Sequence, residues 1–296
     1  MKKSSRRHSL KRGSQAVGYL FLLPWLIGLA VFALRPLCVS LYYSFCNVKA
    51  IPGGMEVTFS GFANHADIWV RDIFFIRRVL NFLLTTVLQV PIIVVLALLI
   101  ALLLNVRLPG RGLFRTVFFL PVIVVSGPLM DKLFAQGATT VPVMQQQGFL
   151  TTLQAMLPGW LAEPVLGMFS RLILILWYSG IPMQLFLAGI QKMDLNMVEA
   201  AKIDGASGWE IFWKITLPNI KPLILLNAVY TLVFLANADN NDVIVLVNNN
   251  MLQPTRGYGF AAAMAWMYVV VVLVLLGITF LLLRERDSTR RRRKED

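Results

Sequence analysis

Between positions 237 and 242 the chain places Asn237, Asp239, Asn240, Asn241 and Asp242 at the end of an otherwise apolar run. Amides donate and accept hydrogen bonds and carboxylates accept them, so this set suits a solute rich in hydroxyls, such as a sugar. Trp177 and Tyr178 can stack on the apolar face of a sugar ring, and Asn81 and Gln184 add further amides. Polar side chains inside a membrane span are costly and usually face a cavity or a partner. The residues read as a solute pathway are therefore Asn237, Asn240, Asn241, Asp242, Trp177, Tyr178 and Gln184, with Asn81 beside them. A second reading stays open, in which the apolar run stops near Leu235 and the polar cluster is solvated loop.

No set of residues reads as catalytic. Acid–base or nucleophilic chemistry in a membrane protein needs His, Asp, Glu or Cys gathered at one depth. The two histidines, His8 and His65, lie far apart in polar segments. The two cysteines, Cys38 and Cys46, would stand roughly 12 Å apart on a single helix, too far for a disulfide, and no Cys/His set has metal-ligand spacing. The chain also lacks a Gly-x-x-x-x-Gly-Lys-Ser/Thr loop, so it is not itself an ATPase of that type. The expectation is a protein with no catalytic residues, no metal and no cofactor of its own.

Composition sets the elements that must position the polar cluster. Hydrophobic residues make up 57% and charged residues 15%, with mean hydropathy +0.68. Soluble domains are nearer half apolar and a quarter charged, so this is an integral membrane protein. The net charge of +13 is concentrated at the ends. Lys2, Lys3, Arg6, Arg7, Lys11 and Arg12 crowd one terminus, and Arg284, Arg286, Arg290 to Arg293 and Lys294 crowd the other. Flanking membrane spans, such tails fix orientation and touch anionic lipid; nucleic-acid binding is not expected.

In chain order, residues 1–16 are a basic tail and 17–284 a transmembrane domain, followed by a second basic tail at 285–296. The apolar run 17–45 is too long for a signal h-region and lacks a small-residue cleavage site, so it reads as an uncleaved first span. Pro52-Gly53-Gly54 marks a turn in the polar stretch 46–78. Residues 66–79 alternate charge with Ile68, Trp69, Ile73, Phe74 and Phe75, which predicts an amphipathic helix on the membrane surface or on the end of the bundle. Further spans are expected at 79–104, 113–134, 165–190, 223 to about 246, and 260–283, since ~20 apolar residues suffice to cross a bilayer. The fold class is therefore all-α and polytopic, with six membrane helices. Both basic tails lie on the cytoplasmic side if the loops at 105–112 and 191–222, which carry basic residues, lie inside. The outer loops at 135–164 and 247–259 are then nearly free of Lys and Arg.

The loop at 191–222 is a polar helical hairpin. Asn196 can cap its first helix, with Glu199 reaching back. Gly205 supplies the positive φ that closes it. Ser207 with Glu210 opens a second helix carrying Trp209, Phe212 and Trp213, and Pro218 and Pro222 end the hairpin.

The spacing of this loop resembles a known signature. Glu199-Ala200-Ala201, then Gly205, then Ile215 and Leu217-Pro218, is similar to the cytoplasmic loop of permease subunits of binding-protein-dependent ABC importers. Gly18 to Pro24 resembles the first-helix start of sugar-type permeases. Residues 107–121, with Arg107, Pro109, Gly110, Phe114 and Pro121, are similar to the larger-type member of a heterodimeric permease pair. The resemblance implies that Glu199, Ala200, Ala201, Asp204, Gly205, Leu217 and Pro218 couple the chain to an ATPase. It implies as partners two ABC ATPase subunits holding ATP and magnesium, a companion permease and an extracellular solute-binding protein. It further implies a carbohydrate cargo, most simply an oligosaccharide, moved by alternating access across a bacterial cytoplasmic membrane. One departure is that Asn248-Asn249-Asn250 stands where the family commonly has a glycine-rich turn. A secondary transporter driven by an ion gradient is the rival reading; it would favour internal repeats and ionisable groups at mid-depth, and neither is evident.

Overall fold

The computed structural model describes residues 21–105, 172–238, 240–253 and 256–284, with Gly112, Thr116 and Pro158. Apart from Thr116 and Pro158, the expected third span and the outer loop at 135–164 lie outside the described residues, as do both basic tails and Asp239. In chain order the elements are α1 (Phe21–Ser44), β1 (Cys46–Ile51), β2 (Gly54–Phe59), α2 (Ala63–Arg71), α3 (Ile73–Asn105), α4 (Leu172–Tyr178), α5 (Gly180–Gln191), α6 (Leu195–Ile203), α7 (Gly208–Ile211), α8 (Leu217–Ala236), α9 (Asp242–Met251) and α10 (Gly257–Leu283). Among the described residues four helices are long and apolar enough to cross a membrane: α1, α3, α10 and the continuous helix Gly208–Ala236.

Contacts divide the chain into two compact units. The first holds 21–76 and 243–269. In it α1 keeps its most apolar window wholly uncovered, as suits a helix bathed in lipid or set against another subunit. The strands β1 and β2 pair antiparallel from Cys46↔Phe59 to Ile51↔Gly54, closing on Pro52-Gly53. This hairpin corrects the all-helical expectation. Its placement depends on glycines far along the chain. A Cβ on Gly259 would lie 1.9 Å from the Cys46 carbonyl oxygen, and one on Gly257 2.4 Å from that of Val48. Only glycine lets α10 start against the backbone of β1, and Cys46 and Val48 are fully buried there. Cys46 thus sits in a strand while Cys38 is exposed in α1, so the two cysteines do not share a helix.

The helix expected over 66–79 is also corrected. It stops at Arg71, and α3 begins at Ile73. The residue between them decides this: Asp72 turns the backbone (φ −102°, ψ 80°), and its Oδ1 accepts from the Phe75 N–H at 2.9 Å, capping the new helix. Asn64 ties α2 back by donating to the Ser44 and Cys46 carbonyls, at 3.2 and 2.9 Å.

The second unit holds 77–242 and 270–284. Its core joins Ile93, Ala97 and Ala101 of α3 to Met183, Phe186 and Ile190 of α5 and to Ile220, Ala228 and Leu232 of α8. In lipid, helices associate through close packing rather than through the hydrophobic effect, so small residues and interhelical hydrogen bonds matter. Buried Asn227 of α8 donates to the Pro182 carbonyl of α5 at 3.3 Å. The fifth span does not run to 246 as expected. Its helix ends at Ala236, and the next helix, α9, starts at Asp242. At its other end α8 starts with Pro218 in the first turn, where the missing N–H would have had no partner anyway. It is preceded by a π turn over Phe212–Thr216.

Candidate functional site

Two places in the second unit carry the residues singled out by sequence: the hairpin of α6 and α7, and a polar pocket on α3. In the hairpin, α6 is capped by Asp194, whose Oδ1 accepts from the Asn196 N–H at 3.0 Å. The cap is therefore two residues earlier than expected, and Asn196 is already helical. At the other end Ala206 N–H donates to the Ala201 carbonyl at 2.9 Å and Gly205 N–H to that of Lys202 at 3.1 Å. This is a Schellman closure, and it requires the positive φ of Gly205, here 83°. The second helix opens as expected. Ser207 Oγ accepts from the Glu210 N–H at 3.3 Å, and Glu210 Oε2 accepts from the Ser207 N–H at 3.0 Å. Lys214 adds an ion pair to Glu210 at 3.2 Å. The Ser207 backbone bond first, and Lys214 next, hold the Glu210 carboxyl below the usual carboxylate range.

Glu199, Ala200, Asp204, Gly205 and Pro218 are exposed, and Ala201 and Leu217 half-buried. The hairpin also exposes apolar side chains: Ile203 is 86% and Trp209 70% accessible. Trp209, Phe212 and Trp213 pack edge to face or tilted, with centroids 5.2 to 6.5 Å apart. Large apolar groups displayed on a doubly capped element, beside carboxylates, suit a contact surface for another protein or for lipid.

The pocket is lined by Arg78, Asn81, Phe82, Thr85, Thr86 and Gln89 of α3, by Leu174, Ile175 and Tyr178 of α4, and by Leu235, Ala238, Asn240, Asn241 and Asp242. It brings together five of the sequence-predicted residues: Asn81, Tyr178, Asn240, Asn241 and Asp242. It does not include Trp177, Gln184 or Asn237. Asn237 spends its amide on its own helix, donating to the Val233 carbonyl at 2.8 Å. Asn241 donates to the Leu235 and Ala236 carbonyls at 3.3 and 3.2 Å, so its nitrogen closes the end of α8. Arg78 Nη1 donates to the Asp242 carbonyl at 2.9 Å, and Tyr178 packs edge-on against Phe234. Arg78, Thr85, Thr86 and Gln89 were missed by sequence reasoning. The available signal was their spacing, since 78, 81, 85 and 89 recur at three- and four-residue steps and so share one helix face.

Residues 71–292 match the family model described as binding-protein-dependent transport system inner membrane component. The lactose transport system permease protein LacF of Rhizobium radiobacter is 33% identical over 232 residues, covering 76% of this chain and 74% of that protein. The arabinooligosaccharides transport system permease protein AraP of Bacillus subtilis is 30% identical over 228 residues, covering 75% and 69%. In fold, the chain is similar to a subunit of a bacterial ABC transporter involved in the import of the acidic polysaccharide alginate. There the TM-score is 0.65 at 22% identity, over 95% of this chain and 100% of that one. With a family model spanning most of its length and relatives at this identity, the chain belongs to the inner membrane components of binding-protein-dependent transport systems.

Proposed function

We propose that this chain is the membrane-spanning permease subunit of an ATP-driven importer that moves a carbohydrate, an oligosaccharide in its simplest form. The sugar names of the lactose and arabinooligosaccharide relatives support the cargo. The polar pocket along the first half of α3 supports a route for it. The observation that carries the reading is the hairpin. A capped, glycine-closed pair of short helices exposing Ile203 and Trp209, continuous through a π turn with α8, is built to hand force from a partner to a membrane helix. In this reading six spans cross the bilayer, both termini and the 191–222 loop face the cytoplasm, and residues 196–217 dock on an ATPase. Two such ATPases, which bind ATP and magnesium, close on each other and carry the hairpins with them. The spans of this chain and of a companion permease then open outward to a loaded binding protein.

The experiment is co-purification of the chain with its ATPase, followed by hydrolysis assays in proteoliposomes with sugar-loaded binding protein. Gly205→Asp should abolish co-elution, because Asp strains the positive φ of the Schellman closure. Glu199→Lys should leave the complex assembled and lower stimulated hydrolysis. Full stimulation in Glu199→Lys together with normal co-elution in Gly205→Asp would sink the coupling role.

A further inference from the structure

Among the described helices long enough to cross a membrane, α3 holds the most apolar stretch, yet it carries a polar stripe. Arg78, Asn81, Thr85, Thr86 and Gln89 all line the same pocket. From Arg78 to Gln89 the stripe runs about 16 Å at 1.5 Å per residue. Gln89 is its inner end and lies at the midpoint of the 33-residue helix. That places it near the centre of a hydrocarbon layer roughly 30 Å thick, the depth where an amide without partners is most costly.

Gln89 is 6% exposed, and among the described residues no hydrogen bond reaches its amide. The neighbouring stripe residues are differently committed. Thr85 donates to the Asn81 carbonyl of its own helix, and Arg78 is held by the Asp242 carbonyl. The amide of Gln89 therefore keeps donors and an acceptor for something else, and the pocket is the side it faces. The same pocket is also lined by Leu174, Ile175 and Tyr178 of α4. α3 offers it hydrogen bonds and α4 an apolar and aromatic surface. That pairing matches a pyranose or furanose unit, which has hydroxyls on its edge and C–H groups on its face.

We propose that Gln89 is a specificity-determining residue for the cargo: its amide binds a hydroxyl of a sugar unit passing mid-membrane, with Tyr178 packed against that unit's apolar face. The second span thus reads the solute alongside Asn240, Asn241 and Asp242. This inference rests on the carbohydrate reading above.

The test uses the whole complex in proteoliposomes, with radiolabelled lactose, maltotriose and arabinotriose as probes. Two readouts are taken with saturating loaded binding protein. In the first, sugar moved per ATP hydrolysed should fall about tenfold in Gln89→Leu, the scale of losing one buried hydrogen-bond partner, and recover in part in Gln89→Asn. A defect of folding alone would lower uptake and hydrolysis together and leave the ratio unchanged. In the second, on a Cys38→Ser background, Gln89→Cys should react with a membrane-impermeant methanethiosulfonate, and sugar should slow the reaction at least fivefold. Leu84→Cys, exposed on α3 outside the pocket, should show no sugar effect. An unchanged ratio in Gln89→Leu, or labelling indifferent to sugar, overturns the role of Gln89 while leaving the importer reading intact. A wild-type complex that moves none of the three sugars overturns the carbohydrate reading itself.

Discussion

Arg256 donates from Nη1 to the carboxylate of Asp72, a residue 184 positions earlier in the chain. Asp72 exposes 1% of its side chain and also caps α3 through Phe75. The same guanidinium donates to Asn250 Oδ1 at 3.0 Å and lies over the Phe260 ring, 4.8 Å from its centroid. One arginine therefore joins the start of α3, the end of α9 and the start of α10. Removing one partner of a buried pair costs roughly 3–5 kcal/mol, and since Arg256 is 36% exposed the low end applies. Arg256→Gln should lower the melting temperature of the detergent-purified chain more than Asp72→Asn/Arg256→Gln does, because the double variant leaves no buried charge unpaired. A double variant as unstable as the single one would refute the pairing.

Gly259→Ala should release the β-hairpin. The new methyl would meet the Cys46 carbonyl oxygen, which is backbone and has little room to move. Limited proteolysis in detergent should cut 46–59 faster in Gly259→Ala than in wild type. Gly277→Ala, where nothing lies within 4 Å, should digest like wild type.

The capping box of α7 should matter for coupling. Ser207→Ala removes an N-cap worth about 1 kcal/mol, and stimulated ATP hydrolysis of the reconstituted complex should drop, while Ser207→Asp retains it. Glu210 gives the sign of the pH effect. Its carboxyl titrates below its ordinary value near 4.5, so its contribution is complete above that value and disappears as pH falls through the lower folded one. Circular dichroism of a peptide spanning 194–218 should lose helix on acidification below that point, and Glu210→Gln should lose less.

His65 makes the opposite kind of statement. Burial pushes its imidazole below its ordinary value near 6.5, and it stacks on Phe45 with centroids 5.0 Å apart. The unfolded chain then binds the proton more readily than the folded one, so stability is whole above pH 6.5 and declines as pH falls below it. Melting temperature should drop between pH 7.5 and 5.5 by a smaller amount in His65→Gln than in wild type.

The parts of this molecule legible in the sequence are those settled between near neighbours. Gly205, Ser207 and Glu210 announce the hairpin because each acts on backbone groups within three or four residues. The same locality explains the slip at the cap, where Asp194 and Asn196 both qualify and only the backbone angles choose between them. The β-hairpin was not legible. Its second strand is exposed throughout, and what seats its first strand is a pair of glycines some two hundred positions away. The polar stripe of α3 was hidden for another reason. Hydropathy averaged along a helix dilutes a single amide such as Gln89, although its four- and eight-residue spacing to Thr85 and Asn81 was there to be read. Asn237 and Asn241 carry a different lesson: their amide nitrogens donate to carbonyls four to six residues back, a use that composition does not distinguish from binding a solute.

The π turn at Phe212–Thr216 holds one residue more than a regular turn of the same rise. One residue of α-helix corresponds to about 100° of rotation. The compass bearing of the knuckle formed by 195–211 about the axis of the rod that follows is thus set by a single surplus residue. Deleting it would leave the helix unbroken and every cap in place, yet turn Glu199 and Trp209 to a different bearing about that axis.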